Sequence, residues 1–120
     1  MRDIMKVDGI GIDIAEIDRF RTVIKEKKDH FLENTFSITE QAYCFSYRDP
    51  APHFAGMFAA KEATRKATGD ISESILAVEV RHTKTGKPEI WVKGKRTKSI
   101  LVSITHSQSI ACAVAIMQKS

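Results

Sequence analysis

The chain has 120 residues, of which 42% are hydrophobic and 28% charged, with a formal net charge of +4 at pH 7. This composition is ordinary for one globular domain spanning residues 1–120, and it excludes a disordered chain. No apolar run approaches the roughly 20 residues of a membrane span, and the first residues lack a hydrophobic signal-peptide core, so we expect a cytoplasmic protein that does not enter a membrane.

The chain opens with a strand pattern. Residues 7–14 alternate apolar with small or acidic side chains, which predicts a strand. Gly9 and Gly11 lie inside it, where a missing side chain lets another backbone or a ligand come close. Apolar residues at helical spacing then predict a helix over residues 15–27.

Helical segments continue up to a pair of prolines. Residues 30–36 predict a short helical turn, and Thr39 is the expected N-cap of a helix running through residues 43–47. Two prolines within residues 49–52 predict a break, because proline lacks the N–H that a helix interior needs.

The second half changes from helical to strand periodicity. Residues 53–68 are rich in alanine and straight side chains and end at Gly69, which predicts a long helix with Phe54 and Phe58 on its buried side. Period-two segments then predict antiparallel strands at residues 77–81, 89–93, 101–105 and 110–117, with a turn at 85–88. The expected fold class is therefore α+β.

The cysteine content is low. Cys44 and Cys112 lie in apolar surroundings, and neither has a second cysteine at metal-ligand spacing. This pattern predicts two buried reduced thiols, with a single disulfide as the alternative.

One aspartate ends a glycine-containing strand. Asp13 follows Gly11 and Ile12, so its carboxylate would be held rigidly beside open space. It suits a ligand for a hard divalent cation, and equally a cap for the helix that follows. This segment alone favours the cap.

The long predicted helix carries a mixed row of side chains. Phe58, Glu62 and Lys66 are spaced i, i+4, i+8 and share one face. A metal-binding carboxylate beside a phosphate-binding amine suits phosphoryl transfer, which depends on positioning and charge neutralisation. The alternative is an exposed Glu–Lys pair on a surface helix.

A histidine lies among hydroxyl side chains near the last strand. His106 stands between Thr105 and Ser107. An imidazole in such surroundings can bind phosphate oxygens or relay a proton, although a lone histidine is more often structural.

Taken together, these segments resemble the phosphopantetheinyl transferase superfamily. Its G-[IV]-D element is matched at residues 11–13, and its [FW]-x-x-K-E-[AS]-x-x-K helix is matched in full at residues 58–66. The surrounding segments resemble the short, single-domain holo-acyl-carrier-protein synthase branch, and they cover residues 9–17, 54–63, 85–88 and 103–107.

The resemblance implies transfer of the phosphopantetheine arm of coenzyme A to a serine of an apo acyl carrier protein, with release of adenosine 3′,5′-bisphosphate. It implies Mg²⁺ held by Asp13 and Glu62, and it makes Glu62, Lys66 and His106 the catalytic residues. Lys66 and His106 would contact the coenzyme A pyrophosphate. The general base stays open between a metal-bound water, Asp13 and Glu62.

The resemblance also implies how the partners are held. Gly86, Lys87 and Pro88 would hold the nucleotide end of coenzyme A, and Arg19 would meet phosphate groups or the acidic helix of the carrier protein. The family is typically a homotrimer with sites at subunit interfaces, which would let a short chain enclose a large cofactor.

The chain departs from the family pattern in three places. Met57 stands where the branch commonly has an arginine, which removes a positive charge that would meet a coenzyme A phosphate. The glycine-rich turn after the long helix is reduced to Gly69 and Asp70, and residues 94–99 are too short for the helix often found there.

Two other functions compete with the enzyme. The first is an inactive relative that binds carrier protein, which Met57 favours. The second is a small nucleic-acid-binding protein that uses residues 81–98, a stretch with seven basic residues and one acidic residue. Only Trp91 interleaves an aromatic ring with these charges, and the carboxylates of Asp13 and Glu62 have no part in that function, so nucleic acid is not the expected partner.

Overall fold

The computed structural model describes residues 6–119. Strands and helices follow one another as strand, four helices, then strands, so the predicted α+β class is confirmed. The elements are β1 Lys6–Glu16, α1 Ile17–Lys25, α2 Asp29–Thr35, α3 Ile38–Phe45, α4 Ala51–Thr68, β2 Val78–His82, β3 Pro88–Val92, β4 Lys95–Arg96, β5 Ile100–His106 and β6 Ile110–Lys119. No helix within residues 6–119 is long and apolar enough to cross a membrane.

The strands form two antiparallel sheets of three strands each. The first has the order β1-β6-β5, which places the first and last strands side by side, and the second has the order β2-β3-β4. In the first sheet Asp13 lies opposite Ala113, which lies opposite Ile104. Helix α4 packs across one face of this sheet and contacts all three strands.

Small residues bring α4 and the first sheet very close. Gly9 and Gly11 lie directly under the helix, and a Cβ built on Gly11 would stand only 2.0 Å from the carbonyl oxygen of Ala63. The close approach predicted for these glycines is therefore that of the helix backbone. Buried alanines of β6 and α4 complete the layer, namely Ala111, Ala113, Ala115, Ala59, Ala60, Ala63 and Ala67.

Phenylalanine rings join the three short helices to α4. Phe36 meets Phe54 edge to face with centroids 4.9 Å apart, and Phe20 meets Phe36 at 6.3 Å. All three rings are buried. Such pairs contribute about 0.5–1.5 kcal/mol beyond the area that they bury. Phe58, expected to be buried, is only partly covered.

Two predicted helix starts are wrong. Helix α3 is capped by Ser37 rather than Thr39, because Ser37 Oγ accepts the amide hydrogen of Glu40 at 3.1 Å while Glu40 accepts that of Ser37 at 2.9 Å. Helix α4 begins at Ala51 and so contains Pro52. Proline is tolerated in the first helical turn, where its missing N–H has no partner to lose.

Other predicted boundaries also shift. Helix α1 starts at Ile17 rather than residue 15, because β1 continues to Glu16 and pairs there with Ile110 of β6. The short β4 was not predicted, because two residues carry no periodicity. Both cysteines are free thiols, but Cys112 is only partly buried.

Candidate active site

Strand β1 and helix α4 bring Asp13 and Lys66 together across 53 residues of sequence. The Lys66 ammonium donates to Asp13 Oδ1 at 3.0 Å and to the Ile12 carbonyl at 3.0 Å. Asp13 lies within β1, and Glu16 is the residue that precedes α1. The interpretation of Asp13 as a helix cap is therefore wrong.

Glu62 lies one helical turn before Lys66 on α4. Its Oε1 accepts from Arg65 at 2.8 Å, so neither Glu62 nor Lys66 is engaged in the surface Glu–Lys pair considered from the sequence. Arg65 also donates to the Ile71 and Glu73 carbonyls at 3.3 and 3.4 Å. Its position three residues after Glu62 was the only sequence signal for this contact.

Asp13 stands beside the turn of α4 that carries Glu62. Gly9 lies against Ala67 and Gly11 against Ala63, so β1 and α4 run in opposite directions. Two further residues along β1 advance about one helical turn, which brings Asp13 level with the turn before Ala63. We call Asp13, Glu62 and Lys66 the carboxylate cluster.

The carboxylate cluster suits Mg²⁺. This ion is commonly held by one or two carboxylates, with phosphate oxygens and water completing its shell. No group of three or more His, Cys, Asp or Glu side chains suited to a metal occurs within residues 6–119, and the cluster itself contains two carboxylates, Asp13 and Glu62. Lys66 and Arg65 neutralise these carboxylates in the structure, one each.

Arg19 flanks the same side of α4. Its guanidinium lies 5.3 Å from the ring centroid of Phe58, the first residue of the row that continues to Glu62 and Lys66. A second ring, Phe31, lies at the same distance. The aromatic faces hold the exposed arginine in place without neutralising its charge.

A separate cavity of about 410 Å³ opens between α4, β5 and the turn that joins β2 to β3. It brings together four residues predicted for the site, namely Gly86, Lys87, Pro88 and His106. Gly86 has φ of 89°, in the left-handed region that favours glycine, and the turn closes where Thr83 N–H donates to the Lys87 carbonyl at 2.9 Å. We call this space the histidine cavity.

Sequence reasoning missed three further residues of this cavity: Tyr43, His53 and His82. The Tyr43 and His82 rings stack at 3.9 Å, and His53 lies 6.2 Å from His106 between centroids. Burial is the main cause that lowers the pKa of His53 and of His82. No local pattern could have grouped these residues, because they come from different elements of the fold.

The carboxylate cluster and the histidine cavity lie on opposite flanks of α4. His53 and Glu62 are nine residues apart, which is two and a half helical turns, so their side chains leave the helix in opposite directions. Strand β6 separates β1 from β5, which places Asp13 and His106 on strands roughly 10 Å apart. A single chain therefore does not unite all the predicted site residues.

The face of the first sheet away from α4 is apolar and exposed. Ile10, Ile12 and Ile14 of β1 are 66%, 60% and 61% exposed. Their partners across the sheet on β6 are Ile116, Val114 and Cys112. Leu101 of β5 pairs in turn with Ile116. We call this surface the outer sheet face.

Comparisons with known proteins agree with one another. The family model for the 4′-phosphopantetheinyl transferase superfamily matches residues 9–115. The chain is similar to holo-[acyl-carrier-protein] synthase of Chlamydia muridarum, at 42% identity over 92% of this chain and 94% of the relative. The corresponding protein of Caldanaerobacter subterraneus is 38% identical over 89% of this chain and 91% of the relative.

Solved structures give the same answer. A holo-(acyl-carrier-protein) synthase from Bacillus anthracis, in complex with CoA (3′,5′-ADP), superposes with a TM-score of 0.80 at 31% identity and covers 98% of this chain and 100% of that one. The Helicobacter pylori enzyme in complex with coenzyme A gives 0.76 at 30% identity over 92% and 99%. The chain belongs to the 4′-phosphopantetheinyl transferase superfamily.

Proposed function

We propose that this protein is a holo-acyl-carrier-protein synthase, which moves 4′-phosphopantetheine from coenzyme A to a serine of an apo acyl carrier protein. The observation that carries the proposal is the contact between Asp13 and Lys66, because it joins the two family motifs in one place. The Bacillus anthracis and Helicobacter pylori relatives bound to coenzyme A support the choice of donor.

In the proposed reaction the serine oxygen forms a bond to the β-phosphorus of coenzyme A. The bond from that phosphorus to the bridging pyrophosphate oxygen breaks, and adenosine 3′,5′-bisphosphate leaves. Asp13 and Glu62 would hold Mg²⁺, which would supply positive charge beside the pyrophosphate. The serine proton has two carboxylate acceptors on this chain, Asp13 and Glu62.

Lys66 has the reach and charge to assist the leaving group. Its side chain is half exposed and its ammonium already lies on the Asp13 carboxylate. If Asp13 held the cation, Lys66 would be free to donate to a pyrophosphate oxygen as negative charge develops there. His106, with Gly86, Lys87 and Pro88, binds coenzyme A from the histidine cavity.

We propose that the working assembly is a homotrimer with sites between subunits. Two observations support it. The carboxylate cluster and the histidine cavity lie on opposite flanks of α4, so a site that contains both needs the cluster of one copy beside the cavity of another. The outer sheet face exposes isoleucines that a second copy would cover.

Arg19 is proposed to meet phosphate groups or the acidic helix of the carrier protein. It lies on the carboxylate-cluster flank, where its charge is held over Phe58 and Phe31. Such a placement attracts an acidic partner towards the reacting groups. The free thiols of Cys44 and Cys112 suit the cytoplasm, where we place the reaction.

The basic stretch of residues 81–98 gives little support to nucleic-acid binding. Three of its cations are engaged with carboxylates, namely Arg81 with Glu79, Lys93 with Glu73 and Arg96 with Glu89. Arg81 also covers one face of the Trp91 ring at 3.9 Å, which removes that face from stacking on bases.

The decisive test is mass spectrometry of apo acyl carrier proteins incubated with this protein, coenzyme A and Mg²⁺. We expect a gain of one phosphopantetheine on the carrier serine, and no gain when a chelator is present. Coenzyme A binding without transfer to any of several carriers would indicate an inactive relative. Absence of both binding and transfer would refute the proposal.

A further inference from the structure

Histidines concentrate in one place in this molecule. The chain has four, and three of them, His53, His82 and His106, line the histidine cavity. They come from α4, β2 and β5, so the fold rather than the sequence brings them together. Such convergence of imidazoles in a cavity of about 410 Å³ indicates a ligand that uses them.

The cavity has few charges of its own. Among the described residues that line it, Lys87 is the only permanent cation and none is a carboxylate. Tyr43 from α3 and the histidines are its other titratable groups, and Asp49, just before α4, acts on His53 from outside the lining. Met57, where the branch commonly has arginine, is buried in the wall and contributes no charge.

His53 is placed to supply that missing charge. It lies one helical turn before Met57 on α4, and both line the cavity. Its ring stacks on that of Tyr47 with centroids 3.5 Å apart. The ring of His106 lies edge to face with it, with centroids 6.2 Å apart. The buried Nδ1 of His82, on the same cavity, has no hydrogen-bond partner within residues 6–119.

The surroundings of His53 and His82 favour the neutral form of both imidazoles. Burial first, and the neighbouring His106 second, lower the pKa of His53 below its ordinary value. Burial likewise lowers the pKa of His82. A dianion in the cavity would act in the opposite direction, because a negative charge within about 4–6 Å favours the protonated imidazole.

We propose that the histidine cavity takes up a proton from solution when it binds a phosphate monoester dianion, and that His53 carries this proton in place of the cation absent at Met57. The inference rests on the proposed function, in which the monoester is the 3′-phosphate of coenzyme A. Affinity for coenzyme A then weakens as pH rises through the pKa that His53 has in the complex.

Isothermal titration calorimetry tests this without turnover. Coenzyme A and 3′-dephospho-coenzyme A are titrated into the protein at pH 7.5, each in two buffers of different ionisation enthalpy. A phosphate monoester, with its second pKa near 6, is mostly dianionic at this pH. We therefore assign any proton uptake to a group of the protein. We expect the binding enthalpy of coenzyme A to depend on the buffer, and that of the dephospho compound to do so much less.

His53→Gln should remove at least half of the proton uptake and weaken coenzyme A binding roughly tenfold, the equivalent of one pKa unit. His30→Gln, which changes the one histidine outside the cavity, should leave both unchanged. His82→Gln serves as a second cavity variant if His53→Gln unfolds.

The outcomes separate the two proposals. Coenzyme A binding with the same enthalpy in both buffers, or equal uptake in wild type and the cavity variants, would overturn this inference and leave the proposed function standing. Failure to bind coenzyme A at all would overturn both.

Discussion

The Nζ atom of Lys61 lies 2.6 Å from Oε1 of Glu40, and both side chains are completely buried. The other oxygen of Glu40 accepts the backbone N–H of Val80 at 2.7 Å. One buried carboxylate thus links α4, α3 and β2. Lys61, the first lysine of the family helix motif, therefore holds the elements around the site rather than contacting the reaction.

Lys61→Met should lower the free energy of unfolding by about 3–5 kcal/mol, because it leaves the Glu40 carboxylate buried without its partner. Urea denaturation followed by circular dichroism measures the change. Lys84→Met, on the exposed turn after β2, is the matched control and should change stability by no more than about 0.5 kcal/mol. Equal stability of the two variants would show that the buried Glu40 carboxylate does not need Lys61 as a partner.

Glu62→Gln should reduce transfer at least a hundredfold while the fold persists, because the amide keeps the side-chain shape but loses the charge that would hold Mg²⁺. The mass-spectrometric transfer assay gives the rate, and thermal unfolding checks the fold. Glu33→Gln, an exposed change on α2, should transfer at the wild-type rate. Wild-type turnover by Glu62→Gln would remove Glu62 from the mechanism.

Arg65→Ser should tighten metal binding. Arg65 would compete with a metal ion for Glu62, and a partly buried ion pair of this kind is worth about 1 kcal/mol, or roughly fivefold in affinity. Titration of Mn²⁺ followed by electron paramagnetic resonance measures the affinity directly. Arg48→Ser, an exposed arginine before α4, serves as the charge-matched control, and identical Mn²⁺ affinities in the two variants would contradict the competition.

Ile12→Lys should dissociate the proposed trimer, because it places a charge at the centre of the outer sheet face, where burial would leave the ammonium unpaired. Light scattering coupled to gel filtration gives the mass. Ile38→Lys changes an isoleucine on α3 that is 87% exposed and should leave the assembly intact. Wild-type protein with the mass of a monomer at assay concentration would rule out the trimer.

Mixing two inactive variants tests whether subunits share a site. Glu62→Gln should disable the carboxylate cluster, and His106→Ala should disable the histidine cavity. A site shared by one subunit of each kind is intact only when the cluster comes from the His106→Ala subunit and the cavity from the Glu62→Gln subunit. Half of the mixed pairings meet this condition. After unfolding and joint refolding, an equal mixture that assembles at random should recover roughly a quarter of wild-type transfer. No recovery would place each complete site within one chain.

Periodicity was enough to predict the elements that position the site. Phe58, Glu62 and Lys66 share a helix face because their spacing is helical, and the structure retains that row. The contact between Lys66 and Asp13 spans 53 residues, and no local pattern encodes it. It was expected only through the resemblance to the superfamily.

Local signals also failed where two residues competed. The sequence contains Ser37 and Glu40 at capping-box spacing, but Thr39 is also a favourable cap by residue type alone. Ser37 prevails because Glu40 is also held by Lys61 and Val80, which are remote in sequence. His53 and His82 of the histidine cavity escaped prediction because each looks solitary along the chain.

The glycines of β1 have a consequence for the precision of the site. Because Gly11 meets the Ala63 carbonyl directly, main chain touches main chain, and no side-chain rotamer stands between the strand and the helix. The spacing between the strand that bears Asp13 and the helix that bears Lys66 is therefore set by van der Waals contact between the two main chains. Fluctuations of side chains elsewhere in the core would leave the separation of β1 and α4 unchanged, so the close contact keeps Asp13 and Lys66 at a constant spacing.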